Sequence, residues 1–156
     1  MSTLVVSALV AAPADAVFEV YTDLEKAVDR IPEIVALELL TDGPVGVGTR
    51  WRETRLMFKK EAVEEMEITS FDRPSQYVVE ANSHGSLYRT VFDFVEEDGG
   101  TRVFWTFHTT AQSFGAKIMA PIFKLLMSGM MRKLMQKELE TLGAVCEQEV
   151  GASVHD

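Results

Sequence analysis

Glu53, Arg55 and Glu64 occupy positions that strand alternation turns toward an otherwise apolar face. Buried charges are tolerated when they are paired and hydrogen-bonded. Two readings follow: the three lie in water at the open end of a sheet, or they form a polar anchor for the head group of a guest in an apolar pocket. In the second case a carboxyl group at Glu64 is placed for acid–base work, with Arg55 beside it and Tyr77 or Tyr88 as proton donor.

Other chemistry finds less support. The glycine loop Gly43 to Gly48 is followed by the strand of Trp51, not by a helix whose N-terminal amides would meet a phosphate, so it reads as a turn shaping a pocket mouth. His84, His108 and His155 fall in a turn, on an outer strand face and in a tail, and no metal or cofactor is expected. The chain lacks a Gly-x-Ser-x-Gly elbow, and Cys146 has no base near it in sequence, which leaves no candidate nucleophile.

The elements that must position these residues are legible from periodicity. Thr3 to Val10 reads as a strand, and Pro13 opens a short helix in which Val17, Phe18, Tyr21 and Leu24 share a face as far as about Thr22 or Asp23. A second helical turn, Leu24 to Arg30, stops at Ile31-Pro32. Strands are then predicted over Ile34–Leu40, Thr49–Phe58, Glu61–Ser70, Gln76–Asn82, Leu87–Val95 and Thr101–Thr110, separated by turn-forming clusters such as Asp98-Gly99. Beyond Ser113 the period becomes helical, with Met119, Ile122, Phe123, Leu126, Met130, Leu134, Leu142 and Val145 on one face to about Cys146. A bend is expected near Pro121 or Ser128-Gly129. The reading is one domain over 1–148 with a flexible tail over 149–156.

Alternation assigns Trp51, Glu53, Met66, Tyr77, Val79, Tyr88, Thr90, Phe92, Trp105 and Phe107 to the inner face of the sheet. Met119, Ile122, Phe123, Leu126 and Met130 would face them from the helix, joined by Met127 or Met131. Such a lining is either plain core or a soft wall that repacks around apolar guests of differing shape.

A net charge of -9 makes the average surface repel nucleic acid and anionic headgroups, so no nucleic-acid partner is expected. Arg50, Arg52, Arg55, Lys59 and Lys60 form a basic run that Glu53, Glu61, Glu64, Glu65 and Glu67 largely neutralise. One cysteine excludes an internal disulfide, and with no signal-peptide pattern the expected compartment is the cytoplasm. The apolar stretch from Ile118 to Met131 is interrupted by Pro121, Lys124, Ser128 and Gly129, so no membrane-spanning segment is expected.

The order strand, two short helices, six strands and long helix comes with several local patterns. These are Pro13, the loop Gly43-Pro44-Val45-Gly46-Val47-Gly48-Thr49-Arg50-Trp51, the strand exit Ile68-Thr69-Ser70-Phe71-Asp72-Arg73-Pro74, and Gly99-Gly100-Thr101-Arg102-Val103-Phe104-Trp105. From about Thr3 to Cys146 the chain resembles the START-related, birch-pollen-allergen-like helix-grip superfamily (SRPBCC), in its polyketide cyclase/dehydrase and lipid-transport branch. The resemblance implies an α+β fold in which a seven-stranded curved antiparallel sheet grips the C-terminal helix around a hydrophobic cavity. It implies binding or transport of a small hydrophobic molecule, such as a lipid, a polyketide or an isoprenoid-like compound. The alternative is a cyclase or dehydratase using Glu64, Arg55 and Tyr88. A third reading is a protein-interaction module docking through Phe58, Phe104 and the terminal helix, with a homodimer as one form of it.

Overall fold

The structure is a computed structural model that describes the backbone of residues 2–57, 59–83 and 85–155; side chains at 2, 57, 83, 116, 119–128 and 152–155 lie outside the description. Seven strands form one antiparallel sheet: β1 (Ser2–Val10), β2 (Ile34–Leu39), β3 (Arg50–Met57), β4 (Lys60–Asp72), β5 (Gln76–Ser83), β6 (Ser86–Glu97) and β7 (Gly100–Ala111). Two short helices, α1 (Ala14–Tyr21) and α2 (Ala27–Arg30), join β1 to β2, and α3 (Phe114–His155) ends the chain. The strand order is β1-β7-β6-β5-β4-β3-β2, so the first two strands are the edges. This is the α+β arrangement that the sequence predicts.

Turn chemistry sets the registers. Asp98 and Gly99 both have positive φ, 50° and 78°, which suits the two-residue hairpin between the paired Glu97 and Gly100. Gly100 then passes so close to β1 that a Cβ there would lie 2.5 Å from the Val10 carbonyl oxygen. Register shifts between Ile34 and Ala36 in β2 and between Ile68 and Ser70 in β4 bend their strands, which gives the sheet its concave face.

At one end that concavity is packed solid. Phe18 of α1, fully buried, meets Phe71, Tyr77 and Phe94 edge-on at ring-centroid distances of 5.1, 5.7 and 5.2 Å. Val10, Val103, Met135, Leu139 and Cys146 are buried in the same cluster. The Tyr21 hydroxyl donates to the Leu139 carbonyl at 2.8 Å, and the Tyr77 hydroxyl donates to the Tyr21 carbonyl at 3.2 Å, so α3, α1 and β5 are tied through buried polar atoms.

The last helix runs over β1 and β7 and against α1. It contains both Pro121 and Gly129, and it continues past Cys146, where the apolar period fades, into the segment read as a tail. Two contacts lie beyond that point: Arg30 bonds Glu149 at 2.6 Å, and Val150 packs on the core cluster. Among the described residues no helix is long and apolar enough to cross a membrane.

Candidate functional site: the inner face of the sheet

Along the inner face, burial changes from one end of the sheet to the other. Trp51, Glu53, Tyr77, Val79, Phe92 and Trp105 are buried, whereas Tyr88, Thr90, Phe107 and Met66 are half-buried. Phe107 pairs with Leu4 of β1 and with Thr90 of β6, and its ring stacks on Tyr88 at 5.8 Å. Tyr88, Thr90 and Phe107 adjoin one another on β6 and β7 and are less covered than the core beside them, and Met66 is the half-buried position on β4. Two shallow clefts, at the β6–β7 turn and between β1 and α3, lie off this surface.

Met119, Ile122, Phe123 and Leu126, expected to face the sheet from α3, lie outside the described side chains, as do Met127 and, for the docking reading, Phe58. Met130 is 49% exposed, while Met131 and Met135 pack on the core cluster. The inward stripe there is offset by one residue from the expected one. A helix turns about 100° per residue, so that offset carries Met130 toward solvent.

The charged residues divide. Arg55 reaches across the concavity: its Nε bonds Glu53 at 3.0 Å and its NH1 bonds Glu138 of α3 at 2.6 Å. Glu53 also accepts from Trp51 Nε1 at 3.3 Å. Burial of Arg55 works against its charge, but Glu138 and Glu53 outweigh it and hold the guanidinium firmly protonated. Burial pushes the Glu138 carboxyl up, and Arg55 opposes that without cancelling it. Beside this group Lys137 bonds Glu33 at 2.9 Å, which outweighs the burial of Glu33 and holds its carboxyl below the ordinary range.

Glu64 stands apart from that ion triad. Register places it opposite Glu53, while Arg55 faces Ala62, and Arg55 takes Glu53 and Glu138 as its partners in place of Glu64. Glu64 is half-buried on the same face as Tyr88, whose hydroxyl is pushed up first by burial and then by the Glu64 charge. Glu64 on β4 and Tyr88 on β6 are two strands apart on that face, and an Arg55–Glu64 pair is not found among the described residues.

Glu138 is the functional-face residue that sequence reasoning missed. Its signal was a carboxylate four residues from both Leu134 and Leu142, on the apolar stripe itself. His108 faces outward and bonds Thr3 at 3.1 Å, and Cys146 is buried, its thiol pushed up to about 11 by burial and by Glu149 and Glu147. Among the described residues no group of three or more side chains is placed to hold a metal ion.

A curved seven-stranded sheet holding a terminal helix over a partly covered apolar face defines a helix-grip protein. The chain belongs to the polyketide cyclase/dehydrase and lipid transport family, whose model matches residues 1–147. Similar solved structures include TTHA0849 from Thermus thermophilus, at 25% identity and TM-score 0.67, covering 97% of this chain and 99% of that one. The Zhui aromatase/cyclase from Streptomyces sp. R1128 aligns at 16% identity and TM-score 0.75 over 96% and 95% of the two chains. Ara h 8.0201 aligns at 16% identity and TM-score 0.72 over 93% and 97%. No curated protein matches the sequence significantly.

Proposed function

We propose that this protein binds or carries a small hydrophobic molecule, of lipid, polyketide or isoprenoid-like character, on the inner face of the sheet beneath α3. The observation that carries this reading is the burial gradient: β6 and β7 are sealed at Phe92 and Trp105 and half-open at Thr90, Tyr88 and Phe107, and β4 is sealed at Ile68 and half-open at Met66. Apolar surface that is left partly uncovered next to a sealed core is where a guest gains most from leaving water. Family membership supports the same class of ligand. A neutral fluorescent probe such as N-phenyl-1-naphthylamine is expected to bind in the low-micromolar range, on the order of -8 kcal/mol. Native mass spectrometry of the purified protein is expected to show a co-purifying apolar molecule. Failure to take up any neutral apolar probe would sink the reading.

A cyclase or dehydratase is the second reading, and the shared face of Glu64 and Tyr88 favours it: a carboxylate and a phenol, both half-buried, stand two strands apart on the surface on which a substrate would lie. Its fold resembles that of the Zhui aromatase/cyclase. In this reading Arg55 serves through its charge while held by Glu53 and Glu138. Glu64→Gln is expected to abolish turnover of a poly-β-ketone substrate while leaving Tm and probe affinity nearly unchanged. An unfolded or fully active variant would assign the carboxylate to structure or to no role.

A further inference from the structure

The chain has two indole N–H groups, and they differ in their surroundings. That of Trp51 donates to Glu53. That of Trp105, in a side chain more than nine-tenths buried, has no hydrogen-bond partner among the described residues. The neighbours of Trp105 on the inner face are apolar: Val6 and Phe92 lie opposite it on β1 and β6, and Val103 and Phe107 flank it on β7. The Phe92 ring is 5.0 Å away and tilted by 36°, far from the edge-on geometry in which an N–H points into a ring face. Buried donors are almost always paired, so an unpaired one on the binding face calls for an explanation.

Resting on the binding reading above, we propose that Trp105 Nε1 donates to a neutral oxygen acceptor, such as a ketone or quinone carbonyl, on the hydrophobic guest. Trp105 adjoins the half-buried Thr90–Phe107 pair, and its Nε1 is closed off in the free protein, so a guest entering from that surface reaches the indole by displacing a neighbouring side chain. A carboxylate is the wrong acceptor for this face. Two carboxylates, Glu53 and Glu138, already share the single cation Arg55 there, and the local charge disfavours a further anion. A neutral carbonyl gains the hydrogen bond without that repulsion.

A matched pair of probes tests this: 2-acetylnaphthalene and 2-ethylnaphthalene have nearly the same shape and differ in the carbonyl. In the wild-type protein the Trp105 indole N–H resonance is expected to move on titration with the ketone and to stay in place with the hydrocarbon, while the Trp51 resonance moves with neither. In Trp105→Phe the ketone-to-hydrocarbon affinity ratio is expected to fall about 5- to 10-fold. If that variant does not fold, Trp51→Phe leaves Trp105 as the one indole and the shift is read there. Both probes binding with the Trp105 resonance unmoved and the ratio unchanged overturns this inference and leaves the binding reading standing. Neither probe binding overturns both.

Discussion

Replacing Arg55 by leucine is expected to destabilise the fold by about 3 kcal/mol, the lower end of what breaking a buried ion pair costs. The lower end applies because the Arg55 side chain is still 24% exposed and water screens part of its charge. What remains is worse than an empty space: Glu53 and Glu138, 6% and 9% exposed in their side chains, would face each other without a cation. In a protein of this length that loss lowers Tm by about 6–12 °C. The guanidinium also joins β3 to α3 across the concavity, so its removal weakens the attachment of the helix as well as the charge balance.

The same variant should show a characteristic pH dependence. In the folded wild type the Glu138 carboxyl titrates above its ordinary range, chiefly because it is buried. A carboxyl raised on folding contributes stability that is full below its unfolded pKa and is lost as pH rises through the folded one. Arg55 limits that rise, so Arg55→Leu pushes the carboxyl further up and extends the loss to higher pH. The deficit of the variant, read from urea melts, should therefore narrow as pH falls from about 7 toward about 5. Adding Glu138→Gln should flatten that slope, because the group that titrates is gone. A deficit that stays constant across the range would mean that Arg55 acts through packing of its stem rather than through its charge.

Strands and turns were legible because each is a local pattern: alternation assigned Trp105, Phe92 and Tyr77 to the buried face, and Asp98-Gly99 marked a hairpin. The polar part of the site was less legible because its partners are remote. Arg55 and Glu138 are 83 positions apart, and helix patterning assigns charges to the solvent side by default, so Glu64, which is near in sequence, stood in as the partner. Register resolved this, since it sets Glu64 against Glu53 and leaves Arg55 facing Ala62. Met130 shows a different limit: two adjacent methionines are nearly equivalent to a periodicity argument, yet one is half exposed and the other packs on the core. The unpaired indole of Trp105 leaves no trace in sequence at all, because an unmet hydrogen bond is a property of neighbours.

Phe18→Ala should separate stability from binding. Phe18 is fully buried and meets three aromatic rings at the sealed end of the sheet, so its loss leaves a cavity worth about 3–5 kcal/mol, or about 6–20 °C in Tm. Since α1 and the half-open surface lie at different ends of the inner face, probe affinity measured well below Tm should stay within about twofold of wild type. Phe107→Ala should do the opposite. Phe107 is half-buried and stacks on Tyr88, so truncation costs about 1–2 kcal/mol of stability but removes a wall of the guest's site, weakening a neutral probe about tenfold. The contrast follows from the burial gradient: atoms already sealed by protein stabilise the fold, and atoms left half-covered are the ones a guest can still bury. Equal losses of affinity in the two variants would place the guest at the α1 end, among rings that are already in contact with one another.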